Sequence, residues 1–123
     1  MNFSNIENLT EVEVDLFAKR AMNDFDFMNE LYNIGKSSTE TYLSELDTAI
    51  SESDIIHFRN IAHTLKSNVD LLGMVNIGKL LRVWIDEAHN GTIPINNDLL
   101  IVQNSINECL EVLNEFINKT KLY

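Results

Sequence analysis

His63 is the residue of this chain best placed to do chemistry. It lies in a run where Ile55, Phe58, Ala62, Leu65, Val69 and Leu72 step by three and four, the spacing of one apolar stripe on an α-helix. At about 100° per residue, that stripe centres roughly 140° away from His63. Arg59, Lys66, Ser67 and Asp70 fall within about 60° of His63, one and two turns to either side. The imidazole is therefore expected at the water-facing edge of a long helix, flanked by two cations, whereas a histidine kept for packing would share the apolar stripe. A neutral imidazole, with its ordinary pKa near about 6.5, is a competent nucleophile at neutral pH. Phosphoryl transfer asks a protein mainly for in-line positioning and for positive charge near the equatorial oxygens. Lys66, one turn along, offers that charge, and Arg59, one turn back, adds to it. Ser67 keeps the neighbouring position small, so that another protein can reach the ring. Ile56 falls about 20° from the His63 direction; an apolar residue on a polar face is either a singly exposed hydrophobe or a contact for a docking partner.

The elements that would hold this face read as helical throughout. Pro94 is the only proline, the four glycines are sparse, and alternating strand patterns are nearly absent. Downstream of the His63 stripe, Ile77, Leu81, Trp84 and Ala88 repeat at helical spacing, and so do Leu99, Val102, Ile106, Leu110, Leu113 and Ile117. Upstream, a stretch from about Asp24 to Ile50 carries Phe25, Met28, Leu31, Tyr42, Leu46 and Ile50, with Gly35 and Ser37-Ser38-Thr39 as a candidate kink; a shorter helix is expected around Glu11 to Met22. Ser51 to Asp54 offers capping residues ahead of Ile55. Gly73 suits a tight helix–helix turn, and Asn90-Gly91-Thr92-Ile93-Pro94 a stop followed by a loop. Trp84 and the phenylalanines are expected in the core, and Cys109 as a small buried hydrophobe. The fold class that follows is all-α, an antiparallel up-down four-helix bundle with a short additional N-terminal helix. One domain is expected over 1–123, with its core at about 24–119. Such a bundle hosts many functions, so the architecture alone decides none of them.

The run Ala62-His63-Thr64-Leu65-Lys66-Ser67, followed by Leu72-Gly73 and then Leu80-Leu81, resembles the signature of histidine-containing phosphotransfer (HPt) domains, approximately A-H-x-L-K-G with L-G a few residues on. The likeness spans about Asp24 to Gly91. It implies that His63 is the phosphoacceptor, that Lys66 steadies the phosphoryl group, and that the partners are response-regulator receiver domains, with a hybrid sensor kinase as a further candidate. No cofactor is expected on this chain, Mg²⁺ being carried by the receiver. Two departures stand out. Ser67 replaces the usual glycine, and Ile85 stands where many members carry a polar residue on the following helix that orients the ring. Folding back at Gly73 would bring Arg82, Ile85 and Asp86 opposite His63. Arg59, Ser67, Asp70, Ile56, Arg82 and Asp86 are accordingly the candidate partner-binding residues.

Composition narrows the alternatives. The formal net charge of −10, from 19 acidic against 9 basic residues, disfavours nucleic acid and anionic membrane as partners. A single cysteine, no basic and apolar leader in Met1-Asn2-Phe3-Ser4-Asn5, and no long apolar run lead to the expectation of a cytoplasmic protein. A monomer is expected, since no oligomerisation stripe is evident. The chain has no Glu-x-x-His pair for a carboxylate-bridged metal site, no Cys/His cluster for zinc, and no glycine-rich nucleotide loop. His57 and His89 have no ligand spacing. The residue after His63 is Thr64, where a sensor-kinase dimerisation domain typically carries an acid. The expectation is a phosphoryl carrier, with neither kinase nor nucleotide-binding activity of its own. Its strongest rival is a non-catalytic helical module that docks a receiver or another protein without chemistry.

Overall fold

A computed structural model describes residues 7–121, and all secondary structure within them is helical. Five helices follow one another: α1 (Val14–Arg20), α2 (Phe25–Ser51), α3 (Ile55–Leu71), α4 (Val75–His89) and α5 (Asn96–Lys121). The first six residues, on which the expectation of no leader rests, lie outside the described range. No described helix is long and apolar enough to cross a membrane.

Each boundary has a local cause. The Asp24 carboxylate accepts the Phe27 N–H at 3.1 Å and the Asp54 carboxylate accepts the His57 N–H at 3.1 Å, so α2 and α3 each begin on a side-chain cap. Gly73 closes the turn after α3 with φ of +84°, and a β-carbon there would stand 2.7 Å from the Glu13 carbonyl oxygen. Its own carbonyl accepts the Glu13 N–H at 2.9 Å, which ties the chain ahead of α1 to the α3–α4 corner. α1 is shorter than the expected 11–22. Met22 and Asn23 adopt left-handed φ of 58° and 54°, which ends the helix and starts the tight turn into α2.

The expected kink in the long helix is absent, and α2 runs 27 residues without a break. Gly35 serves close approach instead. A β-carbon at that position would meet the two δ-methyls of Leu72 at 2.8 and 2.9 Å, and the Gly35 carbonyl accepts the Asn68 side-chain amide at 3.1 Å. The same amide donates to the Thr39 hydroxyl at 2.6 Å, which satisfies the one buried polar side chain among the described residues.

α3 packs on both α2 and α4, α2 also packs on α5, and α4 touches α5 more lightly. The inner stripe of α3 is the one read from its sequence: Phe58, Ala62, Leu65 and Val69 are fully buried. Trp84 is fully buried beside Phe58, the ring centroids 6.3 Å apart and tilted by 45°. Phe27 departs from the expectation that the phenylalanines are core; it sits 41% exposed in the first turn of α2.

Cys109 is buried in α5, where its thiol donates to the Leu9 carbonyl oxygen at 3.3 Å. Burial pushes the thiol from 9.0 up to about 12, and the neighbouring Glu108 carboxylate pushes the same way. The folded chain then keeps a proton that the unfolded chain releases, so alkali favours unfolding. Denaturant midpoints are expected to fall as pH rises from 9.0 towards about 12, and the fall should be shallower in Cys109→Ala.

Candidate functional site

α3 sets out its side chains as two opposed faces. With Phe58, Ala62, Leu65 and Val69 in the core, His63 and Ser67 on the other side are exposed. Among the described residues, no hydrogen bond or ion pair engages the His63 ring. The Ser67 hydroxyl donates back to the His63 carbonyl oxygen at 3.3 Å. A small side chain tied to its own helix leaves the surface beside the ring low.

Two contacts set α3 in register with α4. Arg59 Nη1 stands 3.3 Å from His89 Nδ1, and the Asp70 carboxylate occupies the space beside Gly78, its Cγ 3.1 Å from where a β-carbon would be. Counting along both helices from these contacts puts His63 level with Ile85 and Lys66 level with Arg82. Ile85 is 1% exposed and belongs to the core. It offers no polar atom to the His63 ring.

The cations near His63 are already partnered. Lys66 Nζ forms an ion pair with Asp70 Oδ2 at 2.7 Å, both side chains about two-thirds buried (28% and 36% exposed). The guanidinium of Arg59 reaches across to His89. Arg82 Nε pairs with Asp86 Oδ1 at 3.3 Å on the exposed side of α4. Ile56 is 66% exposed at the start of α3.

Lys66, Asp70 and Arg82 line one shallow depression between α3 and α4, together with Val75, Gly78 and Lys79. His63 is not part of its lining and stands one turn away along α3. Three cations line it beside one carboxylate, of which Lys66 is the one paired with Asp70. On a chain with net charge −10, this makes a local field that attracts anions. Asp86, Arg59 and Ile56 lie outside the depression.

Sequence reasoning missed three participants. Lys79 lies one turn before Arg82 and is legible once the α3–α4 register is known. Gly78 reads as an ordinary helix-interior glycine until Asp70 is placed against it. Arg20, whose guanidinium donates to the Asp70 carbonyl oxygen, has no sequence signal at all, because the direction in which α1 packs decides it.

Comparisons with protein-family models, with curated proteins and with solved structures find no match to this chain.

Proposed function

We propose that this chain is a phosphocarrier of the HPt kind, which accepts a phosphoryl group on His63 from a receiver-domain aspartate and passes it to another receiver. The observation that carries the reading is the placement of His63: an exposed imidazole in the middle of a helix whose opposite face is core, one turn from Lys66, with small Ser67 at its side. The reading includes the finer architecture, in which α2 to α5 form an antiparallel up-down four-helix bundle and α1 is an additional helix. The contacts of α3 with α2 and α4, and of α2 with α5, support it.

The chemistry is a displacement at phosphorus. One imidazole nitrogen of neutral His63 attacks the aspartyl phosphate, the P–O bond to the carboxylate breaks, and a P–N bond forms. The ring proton stays on the other nitrogen or passes to water. A second receiver's carboxylate then reverses the step. Lys66 lies one turn from the reacting nitrogen, within reach of the equatorial oxygens. Receivers would dock over Arg59, His63, Lys66 and Ser67, with Ile56 at the rim and Arg82 and Asp86 on the α4 side. The divalent cation belongs to the receiver. A hybrid sensor kinase is a candidate donor, and the carrier would act as a cytoplasmic monomer.

The pairing of Lys66 with Asp70 and of Arg59 with His89 favours a second reading, in which the face only docks a partner. Incubation with a phosphorylated receiver separates the two. A carrier takes up label that is acid-labile and alkali-stable, and His63→Gln takes up none. Wild type that binds receivers of its own organism yet stays unlabelled would be a docking module.

A further inference from the structure

We infer that Asp70 is a positioning residue for Lys66: it holds the ammonium away from His63 in the unphosphorylated protein and yields it when a phosphoryl group arrives. The inference rests on the carrier reading above and names a control of that same site.

Lys66 lies three residues after His63 and four before Asp70, so both are its neighbours on one helical face. One ammonium serves two possible anions. With the ring unmodified, Nζ sits 2.7 Å from Asp70 Oδ2, on the side of Lys66 away from His63. Long helical side chains ordinarily lean over the preceding turn, which here is the turn of His63. The ion pair draws this one the other way.

Asp70 is itself held from outside α3. Its carboxylate fills the space that the missing side chain of Gly78 leaves on α4, the Cγ lying 3.1 Å from where a β-carbon would stand. Its carbonyl oxygen accepts the Arg20 guanidinium from α1. The carboxylate therefore stays put while the lysine swings. Release is also easy, because a cation N-terminal to its acid is the weaker order for a helical pair. A phosphoryl dianion on His63 is the stronger acceptor. Once the ammonium has left, Lys79 still lines the depression beside Asp70, and the carboxylate, 36% exposed, is open to water.

Phosphoramidate, a small donor that needs no receiver, tests this. Its P–N bond breaks, ammonia leaves, and a P–N bond to the imidazole forms. Asp70→Asn keeps the shape that fits against Gly78 and is expected to label about two- to fivefold faster than wild type, the factor that releasing a partly exposed ion pair supplies. Gly78→Ala, which displaces the carboxylate without changing net charge, should move the rate the same way. In a Lys66→Gln background, Asp70→Asn should add nothing. The ¹³Cγ resonance of Asp70 should shift when wild-type His63 is phosphorylated.

A rate unchanged in Asp70→Asn overturns the inference. So does an equal rise in the Lys66→Gln background, which would mean that Asp70 acts by bare repulsion. A wild type that phosphoramidate leaves unlabelled at His63 would sink the carrier reading itself, a result distinct from either of these.

Discussion

Trp84→Ala is expected to lower the free energy of unfolding by about 3–5 kcal/mol, the range for emptying a large aromatic site in a packed core. The indole is fully buried and packs beside Phe58 at a centroid separation of 6.3 Å. Phe58 belongs to the stripe that keeps the opposite face of α3 towards water. Since a domain of this size is stable by only about 5–15 kcal/mol, the loss takes a large share of the whole. Urea unfolding would show it as a lower midpoint at unchanged slope. Ile56→Ala, at a residue 66% exposed on the same helix, should stay within about 0.5 kcal/mol of wild type. Any failure of Trp84→Ala to accept phosphoryl would then track the unfolded fraction and vanish under conditions where the variant is folded. If both substitutions cost the same small amount, α4 does not close the core over α3, and the opposed faces of α3 lose their explanation.

Helical periodicity carried most of the fold into view, because a three-and-four stripe is a property of one helix by itself. The stripe from Ile55 to Leu72 corresponds closely to α3, and Ile77, Leu81, Trp84 and Ala88 are all buried on α4. Features that depend on two elements meeting were not legible. Gly35 reads as a break, yet it stands opposite Leu72 in an unbroken helix, since only the approach of α3 shows what the missing side chain is for. Phe27 reads as core, but no described element covers it fully in the first turn of α2, and the residue is 41% exposed. At the site, the helical wheel put His63, Lys66 and Asp70 on one face. It did not say which neighbour Lys66 would choose, because the choice turns on Gly78 of α4 holding the carboxylate in place. A periodic pattern assigns faces; it does not assign partners within a face.

Lys66→Gln is expected to slow phosphoryl transfer from a receiver to His63 by about 10- to 100-fold, with the fold intact. Removing one rigid, buried donor from a charge-stabilising site typically costs about 10²–10³ in rate. Lys66 should cost less, because its side chain is 28% exposed and must leave Asp70 before it helps. Its ion pair contributes only about 0.2–1 kcal/mol at such exposure, so the melting temperature should barely change. The kinetic split carries the argument. On the carrier reading Lys66 acts on the oxygens of the phosphoryl group in flight, whereas docking would spread over Arg59, Ser67, Ile56 and the α4 side. The single-turnover rate at saturating receiver should therefore fall while the half-saturating concentration stays nearly constant. Lys66→Arg, which keeps the charge but not its point geometry, should recover part of the rate. Were the rate unchanged and only the half-saturating concentration raised, Lys66 would be a docking contact. The charge for transfer would then have to come from the receiver, and this chain would contribute little beyond an accessible imidazole on a rigid helix.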